Sequence, residues 1–513
     1  MDSVATLNAS AASQCNIRER SSVADVSDVG KSLLGVAMAK NAPRPLASAT
    51  GICLASTPFG LASYADAQIH GRVPRMEFSG RRVTVLGLGR HGGGVGAARF
   101  LAEQGAIVTV TDRSTGNQLA ESVAALANCP IAKWRLGGHD ERDFQVAELI
   151  VVNPAVPPDN RWLELATAAG IPITTEIELF LERCPAKIAG VTGSNGKSST
   201  TAMLAEILSA AGHKVWLGGN IGRSLLPKLS LIQPDDAVVL ELSSFQLARL
   251  SERCRGIDLA VVTNCAPNHL DWHGTYDDYR AAKQRLLELQ SVTSTTVINT
   301  EDPETSSWSS QVRGELLRPL PDHRIPPLAI AGRHQRQNAR LAAAAAQAWG
   351  ANSTSIDTGL RQFAGLPHRL ERIATIDDRA FYNDSLATTP ESTCAALDSF
   401  DEPVWLLAGG YDKGVDFNEL GRWIVRRTAG AAFYGAVGDT LLATTLQSSG
   451  DFCATRVNTL EQALEWCWQR SQPGDVVLLS PACASYDQFR DYADRAEHFR
   501  RAVARLASKS CLL

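Results

Sequence analysis

The residues best suited to chemistry lie in a glycine-rich stretch near the middle of the chain. Between a predicted strand and a predicted helix stands the sequence Gly190-Val-Thr-Gly193-Ser-Asn-Gly196-Lys197-Ser198-Ser199. In this setting, backbone N–H groups and a helix N-terminus attract phosphate oxygens. Lys197 would reach the β- and γ-phosphates of a nucleotide, and the Ser198 hydroxyl would ligate Mg²⁺. The strict Walker pattern has glycine where this chain has Val191, so the loop is a variant of it.

A second glycine cluster lies nearer the N-terminus. The residues Gly87-Leu-Gly89-Arg90-His91-Gly92 follow a predicted strand, and Asp112 ends the next strand, 20 residues beyond Gly92. This spacing is the dinucleotide fingerprint, but any diphosphate at a helix N-terminus could use the same loop. An NAD-dependent dehydrogenase is therefore a competing hypothesis, and it leaves the Gly-Lys-Ser loop unexplained.

Three further side chains of the same central unit could take part in chemistry. Glu241 begins the segment Glu-Leu-Ser-Ser-Phe-Gln-Leu directly after a predicted strand at 237–240. A carboxylate at that end of a strand is well placed to hold Mg²⁺, and helix capping is its alternative role. His269 follows another strand end, and Lys283 lies on a predicted helix. Taken singly, such a histidine is more often structural and such a lysine more often a solvated surface residue.

Segments of the C-terminal part carry groups suited to a carboxylate substrate. Asn383-Asp384-Ser385 follows a short strand-like segment, and Lys413 lies in a glycine-flanked loop. Ser485 and Tyr486 follow another strand end. Carboxylate ligands need cationic and hydroxyl donors of this kind.

The elements that must position these residues alternate between strands and helices. Helices are predicted at 97–104, 198–211 and 338–349. Strands are predicted at 83–87, 107–111, 148–152, 187–191, 237–240, 259–262, 404–408, 432–435 and 476–480. Such alternation implies an α/β fold with parallel sheets and helices on their faces. We predict three units in series, at 77–180, 181–367 and 368–513.

Composition sets the broad class of the protein. The chain has 513 residues, 44% of them apolar and 20% charged, which fits a globular protein of two to four domains. A net charge of −4 gives no reason to expect nucleic acid or a membrane surface as a partner. No apolar run approaches the roughly 18 residues of a membrane span. The 11 cysteines are scattered and form no CxxC pair, which predicts a reduced, cytoplasmic protein.

The first 76 residues differ from the rest of the chain. They are rich in alanine and serine, contain several prolines and lack strong periodicity. Asp2 is acidic and no basic cluster precedes an apolar core, so the segment is a poor signal peptide. We expect a disordered extension, and an over-extended start before Met76 is the alternative.

Taken together, the motifs resemble the Mur ligase family over roughly residues 80–505. Within the family they most resemble the branch that adds D-glutamate. Two segments are particularly characteristic, Glu-Leu-Ser-Ser-Phe-Gln-Leu at 241–247 and Ser-Pro-Ala-Cys-Ala-Ser-Tyr-Asp-Gln-Phe at 480–489. The other motifs follow the family's order, namely Gly-Leu-Gly at 87–89, Gly-Lys-Ser at 196–198, His269, Ala-Lys283, Asn338, His368-Arg369, Asn-Asp384-Ser and Lys413.

The resemblance implies a three-domain architecture and a ligation reaction. A Rossmann-like N-terminal domain would bind the UDP part of UDP-N-acetylmuramoyl-L-alanine, a central P-loop domain would bind ATP, and a Rossmann-like C-terminal domain would bind glutamate. ATP would phosphorylate the alanine carboxylate, and the glutamate amine would displace the phosphate. The co-substrate would be ATP with two Mg²⁺ ions, and the partners would be these small molecules. We expect a monomer, and the sequence does not separate D- from L-glutamate.

The resemblance also implies the residues of the ATP site. One Mg²⁺ would lie between Ser198 and Glu241. His269 and a carbamylated Lys283 would hold the second ion, since carbamylation turns the cation into an oxygen ligand. The implied catalytic residues are Lys197, Lys283, His269 and Asn220. The implied ATP contacts are Gly193, Ser194, Asn195, Gly196, Lys197, Ser198, Ser199, Asn338, Arg369 and Asp384.

The two remaining substrates would bind in the outer domains. The UDP substrate would contact Gly89, Arg90, His91, Asp112, Arg113 and Asn220. Glutamate would contact Thr388, Lys413, Ser485, Tyr486 and Tyr492.

The chain departs from the family pattern at several of these places. Leu386 replaces a lysine in the Asn-Asp-Ser-Lys-Ala-Thr loop, so the charge that this lysine supplies is missing. Tyr492 replaces a phenylalanine, Ala155 replaces a glycine near the sugar diphosphate, and the triplet at 90–92 is bulkier than usual.

Two other classes of protein share part of the pattern. A folylpolyglutamate synthetase or a Mur enzyme for another amino acid has the same central unit. The Gly-Leu-Gly unit argues against the first, and the segments at 241–247 and 480–489 argue against the second. A non-catalytic nucleotide-binding protein is disfavoured because each catalytic position except that of Leu386 is intact.

Overall fold

The computed structural model of the protein describes residues 77–89, 92–252, 254, 256–330, 332–412 and 414–510. The extension predicted at 1–76 lies outside these residues, as do Arg90, His91 and Lys413. The described residues belong to one compact unit that contains separate β-sheets.

The N-terminal domain is built on a parallel sheet with the strand order β3-β2-β1-β4-β5. Its strands are β1 (Arg82–Leu86), β2 (Ile107–Asp112), β3 (Ile131–Leu136), β4 (Leu149–Val152) and β5 (Ile173–Thr174). Its helices are α1 (Gly93–Glu103), α2 (Ala120–Ala124), α3 (Glu141–Gln145), α4 (Arg161–Ala168) and α5 (Glu176–Arg183). Strand β4 is buried along its whole length, as expected for a strand that is covered on both faces.

The central domain contains a second parallel sheet, with the order β11-β10-β9-β6-β8-β7. Its strands are β6 (Lys187–Thr192), β7 (Val215–Gly219), β8 (Ala237–Glu241), β9 (Leu259–Val262), β10 (Thr295–Ile298) and β11 (Glu315–Leu317). Its α-helices are α6 (Lys197–Ala210), α7 (Ser244–Leu247), α8 (Leu270–His273), α9 (Tyr276–Glu288), α10 (Pro303–Ser307), α11 (Arg333–Trp349) and α12 (Ser353–Gln362). Short 3-10 helices lie at Leu226–Leu231, Trp308–Gln311 and Asp322–Arg324.

The C-terminal domain has a mixed sheet with the order β12-β13-β17-β14-β15-β16. Only β12 runs antiparallel to its neighbour within this described sheet. The strands are β12 (Glu371–Ile376), β13 (Arg379–Asn383), β14 (Val404–Gly409), β15 (Gly430–Tyr434), β16 (Ala454–Arg456) and β17 (Val476–Leu479). The helices are α13 (Pro390–Leu397), α14 (Asn418–Arg427), α15 (Gly438–Ser448), α16 (Leu460–Arg470) and α17 (Tyr492–Ser510).

The α/β fold class is confirmed, and the predicted strands correspond to strands of the structure. The start of α1 was predicted too late, at residue 97, because two glycines open this helix. A Cβ at Gly94 would lie 2.3 Å from the carbonyl oxygen of Leu88, so glycine there lets the helix pack closely on the preceding loop. Helix α11 also begins earlier than predicted, at Arg333. The domain boundaries at 180 and 367 remain predictions.

The strand order of the central sheet decides which motifs become neighbours. Strand β6 lies between β8 and β9 in parallel register. The phosphate loop after β6, Glu241 at the end of β8 and Thr263 after β9 therefore share one edge of the sheet, where open α/β sheets bind ligands. In the part of the chain that the structure describes, no helix is long and apolar enough to cross a membrane.

Candidate active site

The loop between β6 and α6 contains two glycines that no other residue could replace without strain. A Cβ at Gly193 would lie 1.9 Å from Thr263 Oγ1, and one at Gly196 would lie 2.3 Å from Asn338 Oδ1. Gly196 also has a left-handed backbone, with φ of 79°, which favours glycine. The loop thus packs between the end of β9 and the start of α11, and this packing brings Asn338 to it.

Hydrogen bonds from the segment after β9 and from helix α9 fix the conformation of this loop. Ser194 Oγ accepts a bond from Ala266 N at 2.9 Å and lies 2.8 Å from the hydroxyl of Tyr279. Asn195 N donates to Asn264 Oδ1 at 2.8 Å. These bonds hold the loop in place at the N-terminus of α6, where a phosphate is attracted.

Lys197 folds back over the phosphate loop. Its Nζ donates to the carbonyl oxygens of Gly193 and Ser194, both at 2.9 Å. Loss of hydration lowers the pKa of Lys197; Glu241 opposes this shift, and Arg369 adds to it. Glu241 and Arg369 thus act electrostatically on Lys197. Ser198 and Ser199, in the first turn of α6, are buried.

Glu241 is a buried carboxylate with one oxygen left free. Its Oε1 accepts a bond from Asn220 Nδ2 at 2.7 Å, while Oε2 is buried without a hydrogen-bond partner among the described residues. The backbones also meet, because Asn220 N donates to the carbonyl oxygen of Glu241 at 2.7 Å. A Cβ at Gly219 would lie 2.1 Å from that carbonyl oxygen, so this approach requires glycine. Asn220 and Glu241, predicted separately, form one unit.

The motif that begins at Glu241 contains structural as well as chemical residues. Ser243 and Gln246 form a capping box at the start of α7, in which each side chain bonds the other residue's backbone N–H. Phe245 packs on the imidazole of His269, with ring centroids 4.7 Å apart. The helix-capping alternative considered for Glu241 thus applies to Ser243 instead.

His269 and Lys283 approach the phosphate loop from two helices. His269 is the exposed N-cap residue of α8 and has a left-handed backbone, with φ of 54°. Loss of hydration lowers the pKa of His269, and the nearby charge of Lys197 lowers it further. The side chain of Lys283 is almost fully buried in α9, and its Nζ donates to the carbonyl oxygen of Gly193 at 2.7 Å.

The environment of Lys283 disfavours its positive charge. Burial moves the pKa of Lys283 well below its ordinary range, and repulsion from Lys197 acts in the same direction. Its Nζ also lies 4.5 Å from the ring centroid of Tyr279. Lys283 is therefore not the solvated surface lysine that is the commoner case for such a residue.

Asp384 lies in the C-terminal domain, at the end of β13. Its Oδ2 accepts a bond from Ser480 Oγ at 2.8 Å, and its Oδ1 accepts one from Leu370 N at 3.2 Å. Burial raises the pKa of Asp384 to about 7, although both hydrogen bonds oppose the shift. Arg369 is exposed, and its charge acts on both Asp384 and Lys197. Arg369 thus connects the C-terminal domain electrostatically to the phosphate loop.

The N-terminal glycine loop forms a separate group. Asp112 is buried, and its Oδ2 accepts a bond from Gly89 N at 3.0 Å while its Oδ1 accepts one from Ser114 N at 2.8 Å. Ser122 Oγ donates to the carbonyl oxygen of Gly89 at 2.7 Å, and Arg113 is exposed. In this structure Asp112 orders the glycine loop, a role that the spacing alone did not reveal.

Two of the residues expected around glutamate lie at the loop that contains Leu386: Thr388 belongs to this loop, and the Tyr492 carbonyl oxygen accepts a bond from Ser385 Oγ at 2.7 Å. Ser485 is buried, Thr388 is half-buried, and Tyr486 and Tyr492 are exposed. The ring of Tyr492 lies 5.7 Å from that of His368, and Leu386 N donates to the carbonyl oxygen of His368 at 3.1 Å. The loop is therefore anchored through its backbone at the position where a lysine is missing.

Family models match each domain of the chain. They are the Mur ligase MurD-like N-terminal domain at residues 81–175, the Mur ligase middle domain at 191–318 and the Mur ligase glutamate ligase domain at 368–483. A UDP-N-acetylmuramoylalanine–D-glutamate ligase from Roseiflexus sp. is 37% identical over 470 residues, which cover 83% of this chain and 99% of the relative. The same-named protein of Koribacter versatilis is 35% identical over 459 residues, covering 85% and 99%. The chain belongs to the Mur ligase family. It is an ATP-dependent amide ligase and not a dehydrogenase.

Solved structures agree with the fold of this Mur ligase. The UDP-N-acetylmuramate-alanine ligase of Thermotoga maritima superposes with a TM-score of 0.54 at 19% identity and covers 84% of this chain and all of its own. MurF of Acinetobacter baumannii gives 0.50 at 17% identity, covering 78% and 93%. At this identity the likeness shows the fold alone.

Sequence patterns did not single out several polar residues at the sites of this Mur ligase. Arg495 is fully buried and donates to the backbone oxygens of Ser385 and Cys483. Arg249 donates to the carbonyl oxygen of Val156 in the N-terminal domain. A lone arginine carries no sequence signal of such a role. Ser480 lies within the segment 480–489 already noted, where only its partner was unknown.

Proposed function

We propose that this Mur ligase joins the amine of D-glutamate to the alanine carboxylate of UDP-N-acetylmuramoyl-L-alanine, with ATP converted to ADP and phosphate. The observation that carries the proposal is the meeting of the phosphate loop with Glu241 at one edge of the central sheet. The names of the most similar relatives supply the substrate class. These relatives match the chain over 99% of their own length. We therefore propose the whole reaction named for these relatives for this chain, as a step in the synthesis of a peptidoglycan precursor.

The groups around Glu241 fit a magnesium ion bound to ATP. Glu241 Oε2 is a buried oxygen without a partner among the residues with described placement, and Mg²⁺ prefers oxygen ligands. Ser198 would supply the second protein ligand from the first turn of α6. The ion would neutralise charge on the transferring phosphate. The ATP phosphates would contact residues 193–199 at backbone N–H groups other than those of Ser194 and Asn195, which donate to Asn264. Lys197 would face the γ-phosphate.

His269 and Lys283 would hold a second Mg²⁺. Carbamylation adds CO₂ to the Lys283 Nζ with release of a proton, and so creates two oxygen ligands. The burial of Lys283 beside Lys197 fits a side chain that is not a free ammonium ion. A carbamate on Lys283 would give this ion oxygen ligands in addition to the imidazole of His269.

The remaining ATP contacts would come from two domains. Asn338 lies at the phosphate loop, where it would face the adenine. Arg369 would contact a phosphate, and the buried Asp384 would bind the ribose. These roles follow the resemblance, and the charge of Arg369 near Lys197 supports them.

The UDP substrate would span the N-terminal and central domains. Its diphosphate and uridine would lie at the glycine loop, near Gly89, Asp112 and Arg113, with Arg90 and His91 adjoining. Asn220 would contact the muramoyl-alanine end, and its bond to Glu241 would place that end beside the Mg²⁺ site.

Glutamate would bind to the C-terminal domain. Thr388, Ser485, Tyr486 and Tyr492 would surround it, together with Lys413 as the cation for its carboxylates. Because Leu386 supplies no charge, we propose that Lys413 and the metal ions provide the positive charge at this site.

The reaction would proceed in two steps. An alanine carboxylate oxygen attacks the γ-phosphorus of ATP, the bond to ADP breaks, and an acyl phosphate forms. The glutamate amine then attacks the acyl carbon, the C–N bond forms, and phosphate leaves as the amine loses a proton. The protein contributes positioning and charge neutralisation.

A phosphate-release assay with UDP-N-acetylmuramoyl-L-alanine tests the proposal. Each glutamate enantiomer is offered separately, with ATP and Mg²⁺. We expect release with D-glutamate and little above background with L-glutamate. Equal release with both, or release with L-glutamate alone, would contradict the stereochemical part. No release with either would contradict the function. Gel filtration of the same sample tests the expected monomer.

A further inference from the structure

A carboxyl group without a role in the proposed reaction lies where the N-terminal and central domains meet. Glu176 is the first residue of α5, the helix that leads from one domain to the other. Ser224 Oγ donates a hydrogen bond to Glu176 Oε1, and it accepts one from Leu226 N at 3.3 Å. Ser224 ends residues 220–224, named here the Asn220 loop. Glu176 therefore holds one end of this loop.

Helix α1 closes the same junction from the N-terminal domain. A Cβ at Gly96 would lie 2.3 Å from Ser224 Oγ, so only glycine leaves space for the serine. Gly96 belongs to the first turn of α1, directly after the glycine loop expected to hold the UDP diphosphate. The junction of Gly96, Glu176 and Ser224 thus joins the UDP-binding domain to the Asn220 loop.

The other end of the Asn220 loop is attached to Glu241. Asn220 Nδ2 donates to Glu241 Oε1 and its backbone N donates to the Glu241 carbonyl oxygen, both at 2.7 Å. The loop is therefore tied to a carboxylate at each of its ends. A shift of Ser224 would be passed to Asn220 over only four residues of chain.

We propose that Glu176 is a positioning residue for the ligation. Through Ser224 it fixes the Asn220 loop against α1, and so sets where Asn220 meets the muramoyl-alanine end of the substrate. This inference rests on the proposed function, because it assigns Asn220 to the UDP substrate.

The surroundings of Glu176 favour its neutral form. Loss of hydration raises the pKa of Glu176 to about 7, although the bonds from Ser224 and Leu226 oppose the shift. Glu176 makes no ion pair among the residues that the structure describes. The charged side chains on the elements packed here are Arg99, Glu103, Glu178, Glu182, Arg183, Arg223 and Lys228. Above neutral pH, ionisation would put an uncompensated charge into the junction and loosen the loop.

Steady-state kinetics of full-length variants test this role. The variants Glu176→Ala and Ser224→Ala remove the bond, and we expect the KM for UDP-N-acetylmuramoyl-L-alanine to rise at least about five-fold. The KM for ATP should stay within about two-fold, since the phosphate loop holds ATP and the pairing of β8 with β6 fixes Glu241 without Ser224. Glu176→Gln keeps the acceptor oxygen and should restore the wild-type KM. The wild-type KM should rise between about pH 6.5 and 8.5, and that of Glu176→Gln should not.

Glu178→Gln is the matched control. Glu178 is a buried glutamate of the same helix that accepts bonds from Thr174 and Ser251 and none from the Asn220 loop. The Glu178→Gln variant should have the same KM for the UDP substrate as the wild type.

Three results would overturn the proposal. The first is an unchanged KM for the UDP substrate in folded Glu176→Ala. The second is a rise of the KM for ATP as large as that for the UDP substrate. The third is a KM for the UDP substrate that depends on pH in Glu176→Gln as it does in the wild type. If Glu176→Ala does not fold, Ser224→Ala and the pH profile of Glu176→Gln decide. A wild-type chain that releases no phosphate would instead contradict the proposed function, whereas an active wild type with unaffected variants contradicts the role of Glu176 alone.

Discussion

Replacing Lys197 with methionine would remove one positive charge from the phosphate loop and keep most of the side-chain volume. The Nζ is held at 2.9 Å from two loop carbonyl oxygens, so the charge has a fixed place beside the expected γ-phosphate. At about 4 Å and an effective dielectric constant of about 20, a pair of unit charges interacts by about 4 kcal/mol. If all of this interaction energy stabilised the transition state, its loss would lower the rate about 10³-fold.

Part of this interaction is already present when ATP is bound in the ground state. We therefore expect kcat for phosphate release to fall at least about 10²-fold in Lys197→Met, the scale of one key electrostatic donor. Binding of UDP-N-acetylmuramoyl-L-alanine, measured by calorimetry, should be nearly unchanged, because its nucleotide lies in another domain. Lys187→Met is the matched control, since Lys187 is exposed at the opposite end of β6. A folded Lys197→Met chain within about ten-fold of wild-type turnover would refute the phosphate-loop assignment.

Three further predictions concern the metal site, the UDP site and the extension. Lys283→Ala should be nearly inactive in the phosphate-release assay, and acetate should restore part of the activity because it replaces an oxygen ligand. Full activity of this variant without acetate would refute the role of Lys283 as a metal ligand. Asp112→Ala frees the N–H of Gly89, and it should weaken binding of the UDP substrate about 10- to 100-fold without changing the affinity for ATP. Calorimetry measures both affinities. Tight binding of NAD in place of the UDP substrate would contradict the assignment of a UDP site. A chain that starts at Met76 should match the full chain in activity and melting temperature, because a relative matches only 83% of this chain with 99% of its own length. A large drop in either would show that the extension matters.

Local signals were sufficient to predict the phosphate loop and its strand and helix. Apolar runs such as residues 259–262 became strands with the same bounds, because strands buried on both faces need continuous apolar sequence. The glycines of the loop were also readable, since their spacing reflects backbone conformations that other residues avoid. Several strands were missed, among them β3 and β7. No residue of β3 is fully buried, so its apolar pattern is weak.

Contacts between motifs could not be predicted from the sequence. Asn220 and Glu241 were assigned to different ligands, and the structure joins them by two hydrogen bonds. Asp112 was expected to contact the UDP substrate, and in the structure its carboxylate accepts bonds from Gly89 and Ser114. Such pairs are far apart along the chain, and neither segment contains a sequence signal that indicates its partner.

The sequence by itself determined the fold class, the phosphate loop and the membership of the Mur ligase family that the order of the motifs suggested. These depend on periodicity, glycine positions and residue types, all of which act over a few neighbouring residues. The tertiary structure alone decided that Glu241 keeps a free buried oxygen, that Lys283 is desolvated, and that Glu176 meets Ser224 beside α1. Burial and pairing of polar groups depend on strand order and on the packing of domains, which bring together residues that are distant in the chain.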